Sequence, residues 1–99
     1  MSREMARYSI ERLAGKSVVT DKGSVLGEVV DLIVDELTGK VLSVVVEEVK
    51  RSDRSLTRQL KRDAEGNILL PYSTVSSVGD VLIVDEKLLQ IYLATRRGD

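Results

Sequence analysis

Runs of valine, leucine and isoleucine, cut at short intervals by glycine and acidic residues, restrict the fold of this chain more than any other feature. The stretch DKGSVLGEVVDLIVDELTGKV, residues 21 to 41, holds five acidic side chains and three glycines among its aliphatics. β-Branched side chains favour extended backbone, and Val25, Val29, Val30, Ile33 and Val34, with Gly27 among them, argue against a helix there. The pattern predicts strands at Ser17–Thr20, 25–36 and 41–49, joined by turns at Asp21-Lys22-Gly23 and Leu37-Thr38-Gly39-Lys40. In VVDLIVDE the apolar residues do not alternate, which predicts a strand covered on both faces.

The second half continues in the same style. Residues 63 to 67 (DAEGN) make a turn. Residues 68 to 72 form a short strand ended by Pro71, the only proline. Val75 to Gly79 leads through Gly79-Asp80 into a last strand, 81–84. Residues 85 to 97 read as a helix with Asp85 or Glu86 at its start and Arg96 and Arg97 at its end, a polarity that suits the helix dipole. Leu88, Ile91 and Tyr92 share one face of it, and Leu89 and Leu93 form an adjacent stripe. Five or six short strands with turn signals every 8 to 15 residues indicate a mostly-β protein, a small β-barrel or sandwich with a C-terminal α-helix.

Ninety-nine residues make a single domain, 1–99, able to bury a core without staples. The barrel is expected over about 8–84, a charged loop over 50–67 and the helix over about 85–97. There is no cysteine and no histidine, so disulfides, thiolate metal sites, cysteine nucleophiles and imidazole acid–base chemistry have no material. Aromatics are limited to Tyr8, Tyr72 and Tyr92, which leaves little for base stacking. No apolar run approaches the roughly 20 residues that cross a bilayer, and MSREMARYSIERLAGK lacks the apolar core of a signal peptide. The expected location is cytoplasmic.

The acidic residues invite a metal or catalytic reading, but the spacing is against it. A calcium loop needs oxygen ligands packed around a tight glycine turn, and Asp21, Asp31 and Asp35 are not so spaced. Asp21 and Asp35 are expected to accept hydrogen bonds from turn amides, and Asp31 to sit partly buried against a backbone amide or a basic residue. Neither catalytic residues, nor a metal, nor a cofactor is expected. Gly23, Gly39, Gly66 and Gly79 fall where turns need positive φ, and Gly15 and Gly27 mark bulges or close backbone approach. No phosphate-loop pattern is present.

Residues 50 to 62, KRSDRSLTRQLKR, change character abruptly. Six basic residues against Asp53 give them a net +5, while the rest of the chain carries −6. The plainer reading is a solvated connecting loop, partly neutralised by acids elsewhere on the barrel. The sharper ones are docking of a protein partner through Arg54, Arg58 and Arg62, or contact with nucleic acid or lipid. A helical turn here would bring Leu56 and Leu60 together at i, i+4. Ser52, Ser55 and Thr57 lie beside arginines as candidate phosphorylation sites.

In this order the turn motifs resemble a known family. Leu13-Ala14-Gly15-Lys16-Ser17-Val18-Val19, Asp21-Lys22-Gly23, Leu26-Gly27-Glu28-Val29-Val30-Asp31 and Val34-Asp35-Glu36-Leu37-Thr38-Gly39-Lys40-Val41 are similar to the first half of a PRC-barrel domain. Leu70-Pro71-Tyr72-Ser73-Thr74-Val75 and Val78-Gly79-Asp80-Val81-Leu82-Ile83-Val84 are similar to its second half. The resemblance implies a small barrel that binds other proteins and performs no catalysis. The family includes the reaction-centre H subunit, the C-terminal half of the ribosome maturation factor RimM, and free-standing archaeal proteins. Some of the archaeal members are implicated in cell division as partners of SepF, which tethers FtsZ to the membrane.

This chain lacks RimM's N-terminal RNA-processing domain and the reaction-centre membrane helix, so the stand-alone archaeal type fits by elimination. The resemblance therefore implies an adaptor that binds a SepF-like protein and is recruited to the division site through it. The alternative it implies is a RimM-like ribosome- or RNA-associated factor. Apolar residues on both faces of the strands further predict a homodimer, with Leu88 and Tyr92 as candidate interface residues.

Overall fold

The computed structural model describes residues 13–97; the expected start of the barrel near residue 8 lies outside them. Six strands form one sheet: β1 (Ser17–Thr20), β2 (Val25–Val34), β3 (Val41–Glu47), β4 (Ile68–Pro71), β5 (Val75–Val78) and β6 (Leu82–Val84). The described residues also hold α1 (Arg54–Thr57), α2 (Glu86–Arg97) and a 3-10 turn at Tyr72–Thr74. The strand order is β4-β3-β2-β1-β6-β5, antiparallel throughout except for the parallel pair β1 and β6. The two edge strands, β4 and β5, follow one another in the chain across the 3-10 turn. The sheet is thus drawn round on itself, as the barrel reading expects.

Two strands end sooner than the sequence predicts, each because a side chain captures a backbone amide. β2 stops at Val34 because the Asp35 carboxylate turns back to accept from the amides of Leu37 (2.8 Å) and Thr38 (3.3 Å). β3 stops at Glu47, and the Val49 amide donates to the Ser52 hydroxyl at 2.9 Å.

One face of the sheet is the core. Val18, Leu26, Val29, Leu32, Val44, Val46, Ile68, Leu70, Leu82 and Val84 meet there with Leu13, Leu56, Leu60, Leu89 and Leu93. Within the single chain the apolar run of β2 is covered on one face only. Bulges interrupt its ladders at Val18/Val19 with β1, and at Val29/Asp31 and Ile33/Val34 with β3. Each bulge resets which residues face inward, so an unbroken run splits between core and surface. Val29 and Leu32 go in, whereas Val30 and Ile33 are left exposed.

Gly27 stands where β2 presses on β3. A Cβ there would lie 2.2 Å from the Glu47 carbonyl oxygen and 2.8 Å from a Val46 methyl, so no larger residue fits. Close backbone approach at Gly27 is borne out. The turn glycines Gly23, Gly39 and Gly66 do take positive φ, as does Gly15, but Gly79 does not: its amide donates to the Val81 carbonyl (2.9 Å) within an ordinary backbone conformation.

Asp21 also departs from expectation. The turn amides of Lys22 and Ser24 go to the Thr20 hydroxyl instead, at 3.3 and 3.1 Å. Asp21 accepts from the Glu86 amide (3.0 Å) and Asp85 from the Leu88 amide (3.0 Å), so two carboxylates from opposite ends of the chain cap α2. That cap seats Leu89 and Leu93 in the core. Asp31 is exposed rather than partly buried, although it does accept a backbone amide, that of Leu32 (2.8 Å).

Candidate protein-binding surfaces

The 50–62 segment is an ordered part of the barrel, not a solvated loop. Its start is latched to β2. The Ser52 hydroxyl donates to the Leu26 carbonyl (2.9 Å), and the Asp53 amide donates to the Val25 carbonyl (2.7 Å). Asp53 then caps α1 by accepting the Ser55 amide at 3.0 Å. Leu56 lies on that turn and Leu60 three residues past its end; the helix is too short to hold both, yet both enter the core. Burying two leucines offsets the entropy of ordering the segment, since each contributes roughly 1.5–3 kcal/mol.

Glu48 anchors the far side. Its two oxygens meet Arg54 Nη1 at 3.0 Å and Arg62 Nη1 at 2.7 Å, and the Thr57 hydroxyl donates to it. The hydrogen bonds from Arg62 and Thr57 hold its carboxyl well below the ordinary carboxylate range, at about 2. Arg62 also donates to the Gly66 and Thr57 carbonyls, tying the segment to the turn before β4.

The predicted interface residues therefore divide. Arg62 is half-buried in this hub, and Arg54 shares it while keeping much of its side chain in solvent. Arg58 is exposed together with Lys50, Arg51 and Lys61, and none of the four has an ionic partner among the described residues. They stand on a backbone already fixed, so binding through them orders only side chains. Ser52 and Thr57 are buried and committed to hydrogen bonds, which leaves Ser55 as the hydroxyl within reach of a modifying enzyme.

On α2, Leu88 is 43 % exposed while Tyr92 packs against the core, so the two do not form one open face. Ile91, 53 % exposed and one turn from Leu88, takes the place expected of Tyr92. The sequence pointed to outward-facing apolar residues on β2 and β3 without naming them; they are Val30, Ile33 and Leu42. Their only signal was an apolar run too long for one face. Among the described residues no three acidic side chains come close enough to hold a metal ion, and no helix is long and apolar enough to cross a membrane.

The comparisons with known proteins agree with this architecture. The family model of the PRC-barrel domain matches residues 5–90. A curated relative, the uncharacterized protein MJ1118 of Methanocaldococcus jannaschii, is 33 % identical over 82 residues, which are 83 % of this chain and 85 % of that protein. Among solved structures, one described as a 16S ribosomal RNA processing protein RimM from Pseudomonas aeruginosa superposes with a TM-score of 0.51 at 22 % identity. The match covers 76 % of this chain but only 41 % of that protein, and at that identity it speaks to the fold alone. With its turn motifs, its curled six-stranded sheet and a family match over most of its length, this chain belongs to the PRC-barrel domain family.

Proposed function

We propose that this PRC-barrel chain is a non-enzymatic adaptor that binds protein partners, acts as a homodimer, and serves a SepF-like component of a cell-division machinery. The observation that carries the protein-binding reading is the set of large apolar side chains left in solvent by so small a domain: Val30, Ile33, Leu37, Leu42, Val78, Leu88 and Ile91. So many large apolar side chains in solvent on a domain of this size suit an interface. The preorganised cations of the 50–62 segment, a separate feature of the surface, suit an acidic partner. A chain without cysteine or histidine also lacks the side chains most used for nucleophilic and proton-transfer chemistry.

The SepF and FtsZ connection, and recruitment to the division site, rest on the resemblance to stand-alone archaeal members. An archaeal relative aligned over most of its own length supports that grouping. A dimer has two identical docking faces and turns modest single-site affinities into avidity. Light scattering at low micromolar concentration should give twice the monomer mass; a monomeric mass would remove the dimer.

The same cations favour one second reading, an RNA- or ribosome-associated factor, because Lys50, Arg51, Arg58 and Lys61 could each meet a phosphate. An affinity pull-down from native lysate, with and without nuclease, separates the two. Recovery of SepF-like or FtsZ-linked proteins that survives nuclease supports the adaptor. Ribosomal proteins that vanish with nuclease support the alternative.

A further inference from the structure

The outer face of β2 and β3 carries acidic charge that no lysine or arginine among the described residues pairs. In the ladder between these strands Glu28 stands directly opposite Glu47. Both are exposed, and neither reaches a lysine or arginine among the described residues. Opposed side chains of an antiparallel pair have their Cβ atoms about 5 Å apart, so two carboxylates there repel and destabilise the sheet. Asp31, exposed and opposite Val45, adds a third carboxylate to the face.

The same face is apolar between its acids. Val30 and Ile33 are 42 % and 40 % exposed, and Leu42, at the bulge where β3 begins, is 51 % exposed. Val45 is buried yet stands apart from the core cluster, because it points the other way from Val44 and Val46. The result is an apolar strip bordered by three carboxylates.

A second copy is a poor occupant. A two-fold contact sets a surface against its own image, and these carboxylates would face carboxylates. The inverse pattern fits: apolar side chains flanked by lysine or arginine on one face of a helix or strand. The geometry points to the outer face of β2 and β3 as the docking site for a basic amphipathic segment of a protein partner, an inference that rests on the protein-binding reading above. A cationic partner relieves the repulsion between Glu28 and Glu47, so binding gains both the new ion pairs and the lost repulsion.

The test uses the full chain with methyl-labelled Val, Leu and Ile, followed by NMR during titration with a synthetic helical Leu/Lys amphipathic peptide. A Leu/Glu peptide of the same apolar pattern is the control. The Lys peptide should shift the methyl signals of Val30, Ile33 and Leu42 and the Glu peptide should not. The double variant Glu28→Lys/Glu47→Lys should weaken the Lys peptide at least tenfold. Glu28→Lys alone should raise the melting temperature, because it turns a like-charged pair into an opposite one; it should also weaken the Lys peptide, and the double variant's own melting curve shows that it folds. Shifts confined to residues 50–62 or to Leu88 and Ile91, or no shifts, would overturn the inference. So would shifts at Val30 and Ile33 that follow protein concentration alone, which would place a second copy there. A native partner recovered from lysate whose affinity ignores the double variant would leave the adaptor standing and remove this face from it.

Discussion

Glu47 and Glu48 are neighbours in the chain with opposite electrostatic fates. Glu48, just past the end of β3, is gripped by Arg54 and Arg62 and by the Thr57 hydroxyl. Glu47, the last residue of β3, projects to the other side and faces Glu28, with no ion pair to a lysine or arginine among the described residues. The strand's end makes the difference: one residue on, the chain leaves the pleat and turns toward the segment that returns over the barrel. In the first region the molecule satisfies the charge of Glu48 with two of its arginines and uses that for stability. In the second it leaves charge and apolar surface open, which stabilises nothing until something binds.

The largest expected effect lies at the seam between the two regions. Gly27→Ala forces a methyl against the Glu47 carbonyl oxygen and should destabilise by about 2–3 kcal/mol or more, read as a lower urea midpoint with unchanged slope. Next comes a pair that tests the contrast directly. Leu60→Ala should cost about 2–4 kcal/mol because the side chain fills the core, whereas Ile33→Ala on the outer face should cost under about 1 kcal/mol. Equal losses would erase the distinction drawn here between a stabilising segment and an open face.

The Glu48 hub supplies a pH signature of intermediate size. Its folded pKa is about 2 against an ordinary 4.5, a depressed value. The carboxylate's contribution is therefore fully present above about pH 4.5 and is lost as pH falls from there toward 2. Partial exposure of Arg54 trims the contribution to about 1–2 kcal/mol. Urea midpoints measured across that window should drop more steeply for the native chain than for Glu48→Gln; identical slopes would mean that the hub adds no stability.

Asp21→Ala, which removes the cap from the Glu86 amide, should cost about 1 kcal/mol and leave Asp85 holding the helix start. The smallest effect is on the surface: Arg58→Glu should change stability by less than about 0.5 kcal/mol. In the acidic-partner reading it should nonetheless weaken partner binding, and more so at low salt.

What the sequence determined by itself is whatever a few neighbouring residues decide. The turns at Gly23, Gly39 and Gly66, the strands between them and the acidic start of α2 all follow from local dihedral preference, capping and periodicity. The candidate site was legible only as a composition: an excess of arginine and lysine and a surplus of valine. The tertiary structure decided the rest, because the partners are far apart in the chain. Asp21 finds its amide at Glu86, Arg62 finds its carboxylate at Glu48, and Glu28 meets Glu47 only because a bulge at Val30 sets the register of two strands. Periodicity reports which side chains are apolar, but a single extra residue in a ladder changes which of them are buried. That one-residue shift left Val30 and Ile33 in solvent, and with them the face on which a partner can dock.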